Sequence, residues 1–455
     1  MSSTNLEVFK AYDIRGTYPD QVNEAMAYKV GRGFASILIN ENPGKKLSVV
    51  VSRDMRPSSE KLQQELTSGL IDSGVDVIDI GLNTTPSFYF AVAFYNYDGG
   101  IQITASHNPS EFNGFKLVRE KARPVGEGTG MEELKDRVAT ENYFEAQEKG
   151  AITQLDQTLV DQVKETLKQA DISKIKPFKI VVDAANSVGA LDMKAIFPHL
   201  PCELIPLYFD LDGTFPNHGA DPLIPENIVD IQKAVREQKA DVGIALDGDS
   251  DRMFFFDENG EEVPQPILRG IMAQIALKEN PGATVCYDIR PGKITQDMID
   301  EVGGKAVITR VGHSLIKAKM EEVNAVFGGE SSGHYFYKSD YGTFDMPLVL
   351  LVKFLQFVSE QNKPLSAIVK PYKRYFHSGE INSTVEDKEG VVEKIAQAYQ
   401  DAEISRLDGI TITYKDYWFN VRPSNTESKL RLNLEAASQE IMEVKRDEVL
   451  KIIRE

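Results

Sequence analysis

The stretch LSVVVSRD, residues 47–54, is an apolar run that ends in polar residues, and this pattern decides the fold. It returns in KIVVDAANSVG at 179–189 and in TVCYDIRPG at 284–292. Each run is followed by a helical stretch and a second apolar run, an alternation that is typical of α/β domains with largely parallel sheets. The sequence therefore predicts three similar α/β domains.

A later apolar run in each of these segments ends in an unusual polar loop. The three runs are GGIQITASHN at 99–108, DVGIALDGDSD at 241–251 and NAVFGGESSGH at 324–334. Their spacing from the earlier runs is not constant, so the topology repeats and the sequence does not. Ligands of open parallel sheets bind at the carboxyl ends of strands. We therefore expect the three loops to contribute to one composite site.

The last part of the chain has a different pattern. The stretch GITITYKDYWFNVRPSNTESKLRLNLEA, residues 409–436, alternates as strands around one polar turn, and helical stretches precede and follow it. This predicts a small α+β domain with a partly antiparallel sheet. We therefore predict four domains, with bounds at 1–150, 151–258, 259–370 and 371–455.

The composition excludes some classes of function. With 51 Lys and Arg against 69 Asp and Glu, the formal net charge of the 455 residues is −18. Such a chain is not expected to bind nucleic acid, whose phosphates repel it. An anionic ligand would need positive charge concentrated locally, in short loops.

We also expect no signal for export or membrane insertion in this chain. Its two cysteines have no C-x-x-C spacing, which fits a reducing compartment. The N-terminal residues contain no apolar core of signal-peptide length, and the most apolar run, at 347–358, is interrupted by Lys353. We expect a cytoplasmic protein without a membrane partner.

The first loop carries a candidate nucleophile. Ser106 and His107 follow a strand-like run, and Lys116 lies ten positions beyond Ser106. A hydroxyl, an imidazole and an ammonium so close together suit nucleophilic catalysis, although such a pair also occurs in ordinary turns. A serine hydrolase is a poor fit because the chain has no G-x-S-x-G elbow.

The second loop places Asp247, Asp249 and Asp251 at alternate positions, so that an extended backbone lets them converge on one hard cation. A calcium loop of the EF-hand type is excluded because Arg252 stands where that loop needs glycine, and because the flanks read as strands. With only carboxylate oxygens on offer, Mg²⁺ is the expected ion.

Three further loops carry polar groups that suit sugar or phosphate. Glu330, Ser332 and His334 could hydrogen-bond sugar hydroxyls, and Gly312 and His313 lie in a similar loop. Arg422 stands beside Ser424, Asn425 and Thr426, a set that offers the donors of a phosphate cradle. This loop supplies the local positive charge that an acidic chain needs for an anionic ligand.

Together these residues resemble the α-D-phosphohexomutase superfamily, specifically its bacterial phosphomannomutase/phosphoglucomutase branch. The resemblance runs from FKAYDIRG at 9–16 to RPSNTESKLR at 422–431, nearly the whole chain. The combination of TASHNPSEFNGFK at 104–116 with DGDSDR at 247–252 is very specific. The fold that it implies is four domains around one cleft.

The resemblance also implies roles for single residues. Ser106 would carry a phosphoryl group, and a phosphoserine oxygen would join Asp247, Asp249 and Asp251 around Mg²⁺. Glu330 and Ser332 would bind the 3- and 4-hydroxyls of the sugar. The non-reacting phosphate would lie in a cradle formed by Arg422, Ser424, Asn425 and Thr426. The groups that would line the reacting end are Tyr12, Arg15, His107, Lys116, Arg252, Arg290 and His313, and Gly312 would also bind substrate.

The implied reaction interconverts hexose 1-phosphate and hexose 6-phosphate through a hexose 1,6-bisphosphate, which would also act as an activator. Lys116 and His334 are the candidate proton-transfer groups. Mannose and glucose differ at C2, whereas Glu330 and Ser332 would read C3 and C4, so dual specificity is expected.

The sequence departs from the family pattern at Ser331, where phosphomannomutases often have Met, and at Ser250, where Gly is common. These departures leave the preferred sugar open. A phosphoglucosamine mutase, a phosphatase and a non-catalytic sugar-phosphate binding protein remain as alternatives, and the oligomeric state is open.

Overall fold

The computed structural model describes residues 5–290, 292–423 and 429–455, and the chain divides into two compact units. The first unit comprises Met1–Val263 and Ser332–Ser366, and the second comprises Pro264–Ser331 and Ala367–Glu455. Within the described ranges, each helix is too short or too polar to cross a lipid bilayer.

The first unit begins with a mixed six-stranded sheet in the order β1-β5-β4-β2-β3-β6. The inner strands β4, β2, β3 and the edge strand β6 run parallel, whereas β5 is antiparallel to both β4 and β1. The strands are β1 (Ile14–Thr17), β2 (Ser48–Arg53), β3 (Asp76–Leu82), β4 (Gly99–Ile103), β5 (Phe112–Arg119) and β6 (Ile152–Gln154). The helices that accompany them are α1 (Glu24–Glu41), α2 (Ser59–Asp72), α3 (Thr85–Phe94) and α4 (Met131–Thr140).

Helices α1 and α2 pack with their backbones almost in contact. A Cβ on Gly31 would lie 2.3 Å from the carbonyl oxygen of Leu66, and one on Gly69 would lie 2.3 Å from that of Tyr28. Only glycine allows so close an approach at both positions. This close approach fixes the position of the helix pair beside the sheet, whose strands β2 and β4 are buried.

A second sheet of the first unit has the order β10-β9-β7-β8. Strand β7 is parallel to its neighbours β8 and β9, and β10 returns antiparallel to β9. The elements are α5 (Thr158–Leu167), β7 (Lys179–Asp183), α6 (Gly189–Ile196), β8 (Glu203–Leu207), α7 (Val229–Gln238), β9 (Val242–Leu246) and β10 (Met253–Phe256).

The second unit opens with a three-layer α/β segment. Strand β11 is parallel to both β12 and β13. The elements are α8 (Gln265–Glu279), β11 (Thr284–Asp288), α9 (Lys293–Glu301), β12 (Lys305–Thr309), α10 (His313–Glu322) and β13 (Phe327–Gly329). Each of the three apolar runs that predicted this fold is thus a parallel strand.

The chain then returns to the first unit with the antiparallel pair β14 (Tyr335–Lys338) and β15 (Thr343–Asp345) and the helix α11 (Pro347–Gln361). Helix α11 is buried along most of its length, and the ring centroids of Phe354 and Phe255 lie 4.3 Å apart. The most apolar stretch of the sequence is therefore a core helix.

The second unit ends in a sheet of order β16-β21-β20-β19-β18, with β17 also beside β21. All the pairings described in this sheet are antiparallel, where the sequence predicted only a partly antiparallel sheet. The elements are α12 (Leu365–Val369), β16 (Phe376–His377), β17 (Ile381–Thr384), α13 (Lys388–Ala398), β18 (Glu403–Ser405), β19 (Ile410–Thr413), β20 (Tyr417–Pro423), β21 (Lys429–Ala436) and α14 (Gln439–Arg454).

Candidate active site

Ser106 lies directly beyond the carboxyl end of β4, in a buried turn. Its hydroxyl donates to Asp247 Oδ2 at 2.9 Å and lies 3.2 Å from Nδ1 of His107. Its backbone φ is +51°, in the left-handed region that non-glycine residues seldom adopt. The first sheet thus presents its serine to the aspartate loop of the second sheet.

The three aspartates follow β9 and converge as the sequence predicted. One ligand oxygen from each of Asp247, Asp249 and Asp251 lies within 4.8 Å of the others, and all three side chains are buried. Ser250 between them has a φ of +63°, a conformation that glycine adopts more easily than other residues. The loop is therefore a turn that gathers carboxylates.

The charges of this cluster are incompletely balanced. Burial raises the pKa of Asp247 well above its usual range, and the neighbouring carboxylates of Asp251 and Asp249 raise it further. Oδ1 of Asp249 and Oδ1 of Asp251 are buried and accept no hydrogen bond from the residues that the structure describes. Buried carboxylate oxygens in this situation fit a hard cation.

Lys116, on β5, supplies an ammonium group that bonds this cluster. Its Nζ donates to Asp249 Oδ2 at 2.7 Å and to Asp251 Oδ2 at 2.6 Å. Burial alone would lower the pKa of Lys116, but the two carboxylates outweigh it and hold the pKa well above its usual value. Lys116 is therefore charged at neutral pH in this arrangement.

Thr85, at the start of α3, contacts the aspartate loop and was missed by the sequence analysis. Its hydroxyl donates to Asp249 Oδ2 at 2.6 Å, and its backbone N–H donates to the carbonyl of Asp249 at 3.0 Å. The signal was the Thr-Thr-Pro start of a helix in the sequence, which marks a helix N-terminus but not its partner.

Of three further predicted residues, His107 is in the serine loop, Arg15 bonds it, and Tyr12 precedes β1. Arg15, on β1, donates through Nη1 to Asn108 Oδ1 at 2.6 Å and is paired with Asp13. His107 is largely shielded, and burial together with the charges of Arg252 and Arg15 lowers its pKa well below the usual value. Tyr12 is half-buried in the bend that precedes β1.

His334 directly precedes β14 and lies between the carboxylate of Asp345 and the guanidinium of Arg252. Its Nδ1 is 2.8 Å from Asp345 Oδ1, and its Nε2 accepts a hydrogen bond from Nε of Arg252 at 3.1 Å. An Nε2 that accepts must be unprotonated, so this geometry corresponds to the neutral ring with its proton on Nδ1. Arg252 also donates its backbone N–H to Asp247 Oδ1 at 3.2 Å.

The second unit holds a separate group of the predicted residues. Nη2 of Arg290 donates to Glu330 Oε1 at 3.0 Å, and Arg290 is also paired with Asp288. Ser331 donates from its hydroxyl to Asp288 Oδ1 at 2.8 Å and accepts from Arg269 at 3.0 Å. The serine that departs from the family pattern therefore points into a buried ion pair. Ser332 is buried in the first unit.

Arg422, at the end of β20, is held by an acid that the sequence did not single out. Its Nη2 donates to Glu380 Oε2 at 2.8 Å, and Arg431, directly across in β21, lies 3.3 Å from Glu380 Oε1. Burial alone would raise the pKa of Glu380, but Arg422, Arg431 and Arg290 outweigh it and lower the pKa. Glu380 thus offsets the repulsion between two facing arginines.

The remaining predicted residues are less informative. Gly312 caps the N-terminus of α10 with a φ of +138°, and His313 is the first residue of that helix. Ser424, Asn425 and Thr426, the other members of the predicted phosphate cradle, lie outside the described residues.

The chain is similar to the phosphoglucomutase/phosphomannomutase family in all four of its domains. The alpha/beta/alpha domains I, II and III match residues 6–144, 157–260 and 267–375, and the C-terminal domain matches residues 380–452. The chain belongs to the phosphoglucomutase/phosphomannomutase family. Its architecture is therefore the predicted one, with four domains of α/β type and mixed sheets.

Named relatives agree with this assignment over the full length. A phosphomannomutase of Vibrio cholerae is 37% identical over 461 residues, covering 99% of this chain and 98% of the relative. A protein of Xanthomonas campestris named "Phosphohexose mutases" is 38% identical over 454 residues, covering 99% of each chain. The crystal structure of a phosphoglucomutase/phosphomannomutase family protein from Burkholderia thailandensis superposes with a TM-score of 0.90 at 32% identity, covering 98% of this chain and 97% of that one.

These findings establish the class of enzyme. The chain is a phosphohexomutase, an isomerase that acts as an intramolecular phosphotransferase.

Proposed function

We propose that this enzyme interconverts the 1-phosphates and 6-phosphates of mannose and glucose, with Ser106 as the phosphoryl carrier. The observation that carries the proposal is the hydrogen bond of 2.9 Å between Ser106 Oγ and Asp247 Oδ2, inside a buried cluster of three carboxylates. The name phosphomannomutase supports mannose, and the similar crystal structure of a phosphoglucomutase/phosphomannomutase family protein supports both sugars.

Asp247, Asp249 and Asp251 would hold Mg²⁺ together with an oxygen of the phosphorylated Ser106. The buried oxygens of Asp249 and Asp251 and the raised pKa of Asp247 fit a hard cation at this position. When bound, the ion would neutralise charge that develops on the transferred phosphoryl group.

The residues of the chain supply the rest of the environment for transfer. Phosphoryl transfer depends mainly on in-line positioning and on neutralising charge. Arg15 and Arg252 place cationic groups beside the serine loop and the aspartate loop, and His107 adds a shielded imidazole. These groups would bind and orient the reacting phosphate and keep water from it.

Proton transfer at the sugar hydroxyl is proposed for His334 and Lys116. Nε2 of His334 accepts in the described state, so this atom could take a proton, while Asp345 fixes the ring through Nδ1. Lys116 is charged and could donate a proton. Asp345 is thus an orienting residue for His334.

Other loops would hold the part of the substrate that does not react. Glu330, with Ser332, would bind the 3- and 4-hydroxyls, while Arg422 would bind the idle phosphate with Ser424, Asn425 and Thr426. One cradle for either phosphate explains how a hexose 1,6-bisphosphate could bind in both orientations, and that compound would also activate the enzyme by restoring the phosphoserine.

The predicted domain bounds, a cytoplasmic location and the lack of nucleic-acid partners are part of the same proposal. The ranges matched by the four family domains support the bounds, and the net charge of −18 supports the lack of nucleic-acid partners.

A coupled assay with Mg²⁺ and a trace of hexose 1,6-bisphosphate tests the proposal. The values of kcat/KM for mannose 1-phosphate, glucose 1-phosphate and glucosamine 1-phosphate are compared on the same purified protein. We expect the first two to be similar and the third to be lower. A clear preference for glucosamine 1-phosphate would replace the proposed substrates, and no turnover of any of the three would refute the reaction.

A further inference from the structure

The turn that carries Ser106 has an unfavourable backbone that the rest of the structure must hold. Ser106 has a φ of +51°, and its neighbourhood is so crowded that a Cβ on Gly248 would lie 2.2 Å from the carbonyl oxygen of Ser106. Residues in such conformations persist only where surrounding contacts determine them. A specific set of contacts should therefore fix this turn.

Arg56 provides that set with its whole guanidinium group. Nη2 donates to the carbonyl oxygens of Ser106 at 2.8 Å and of Asn108 at 2.6 Å. Nη1 donates to those of Pro109 at 2.6 Å and of Phe112 at 3.0 Å. Four carbonyl oxygens between positions 106 and 112 thus converge on one side chain.

Arg56 is itself rigidly held. Its Nε donates to Asp54 Oδ2 at 3.1 Å, so each of the five N–H donors that a guanidinium offers has an acceptor. The side chain is fully buried, and the ring of Phe215 covers its guanidinium carbon at 5.1 Å from the ring centroid. A lysine has a flexible side chain with one ammonium group, so it could not reproduce this planar fork of five donors.

We propose that Arg56 is the positioning residue of the reaction, because it fixes the backbone of the serine turn and thereby aims the Ser106 oxygen. Arg56 bonds only main-chain carbonyls and Asp54 among its described partners, so it acts through Ser106 and is not a catalytic group. The inference rests on the proposed role of Ser106.

The consequence is a specific pattern in the kinetics. The sugar and the idle phosphate are proposed to bind Glu330, Ser332 and Arg422, and none of these three residues is among the described hydrogen-bond partners of Arg56. A misplaced nucleophile slows transfer without weakening binding, and a displacement of about 1 Å costs about 10²-fold in rate. Loss of the Arg56 fork should therefore lower kcat and leave KM nearly unchanged.

The test compares Arg56→Lys with Arg32→Lys in the full-length enzyme. Arg32 is a matched control because it is also a buried arginine of the first sheet's domain that donates to a main-chain carbonyl, that of Phe144 at 3.1 Å. We expect Arg56→Lys to lose about 10²-fold in kcat with KM changed less than about threefold, and Arg32→Lys to keep both values. The ³¹P resonance of the phosphoserine should also broaden or shift in Arg56→Lys alone.

Asp54→Asn is a milder second variant if Arg56→Lys does not fold. Its amide keeps an acceptor for Ser59 and for the backbone N–H of Arg56 but loses the charge that pairs with Nε. We expect Asp54→Asn to show the same pattern, with kcat lowered about tenfold and KM nearly unchanged. An unchanged kcat in a folded Arg56→Lys or Asp54→Asn enzyme would overturn the inference. Failure of the wild-type enzyme to isomerise any hexose phosphate would instead overturn the proposed function.

Discussion

Ser106 and Asp247 are hydrogen-bonded at 2.9 Å although 141 positions separate them in the sequence. Ser106 follows β4 of the first sheet, and Asp247 follows β9 of the second. Each residue thus follows the carboxyl end of a strand, and parallel sheets bind ligands at these ends. The bond therefore joins a candidate nucleophile from one domain to a candidate metal ligand from another.

Replacing Ser106 by alanine removes the proposed phosphoryl carrier. We expect Ser106→Ala to lose at least ~10³-fold in kcat/KM, within the range for loss of a nucleophile. Intact-mass measurement should find one phosphate on the wild-type protein, localised to Ser106, and none on the variant. Ser36→Ala is the control, since this buried serine bonds only the carbonyl of Arg32 and the backbone N–H of Phe144 among its described partners. Near-normal turnover by Ser106→Ala would refute the assignment.

Neutralising one aspartate of the second loop should weaken metal binding. Asp249→Asn removes a charge and offers nitrogen in place of one of two oxygens, which a hard cation binds poorly. By calorimetry on chelator-treated protein we expect one Mg²⁺ per chain for the wild type and at least tenfold weaker binding for the variant. Asp257→Asn, at a buried turn that bonds Asn259 and Glu261, should bind like the wild type. Equal affinity in all three proteins would exclude this loop as the metal site.

Arg422→Lys tests the proposed phosphate cradle. A lysine keeps the charge but loses the fork that binds phosphate through two donors. Because a hydrogen bond to a charged group contributes about 1.5–3 kcal/mol, KM for hexose 1-phosphate should rise about 10- to 100-fold. The control is Arg374→Lys, a partly exposed arginine of the same unit that pairs with Glu301. If KM rises equally in both variants, Arg422 has no special role.

Much of the site followed from the sequence because the signal was local. Strand-like runs that end abruptly in polar residues mark strand ends, and this placed Ser106, Asp247 and Glu330 correctly at the ends of β4, β9 and β13. The alternate spacing of the aspartates likewise predicted their convergence, which the structure shows.

The supporting residues could not be found in this way. Arg56 and Thr85 act on groups that lie 50 and 164 positions away, so only the tertiary fold brings them together. Arg56 does follow the strand-like run at 47–54, where the strand-end rule could have marked it. Glu380 stands apart from any motif, and its role arises from the pairing of Arg422 with Arg431 in the antiparallel sheet.

The protonation of Asp192 should make the free energy of unfolding depend on pH. This residue of α6 is fully buried, and its described hydrogen bonds come from the hydroxyls of Thr84 at 3.0 Å and Ser87 at 3.4 Å. Burial raises the pKa of Asp192 to about 7, and the two hydroxyls oppose this only in part. An aspartate in the unfolded chain has a pKa of about 3.9. The folded state therefore holds this proton more tightly than the unfolded state.

The difference between the folded and unfolded pKa of Asp192 sets the direction in which stability changes with pH. The stability that protonated Asp192 contributes is fully present below about pH 4 and is lost as the pH rises through about 7. Asp192→Asn cannot ionise and keeps a carbonyl acceptor for Thr84. Its advantage in Tm over the wild type should thus grow from pH 4 to pH 8, by roughly 2–4 °C for each kcal/mol. Scanning calorimetry across this range measures the difference, and a constant difference in Tm would show that Asp192 is already ionised in the folded protein.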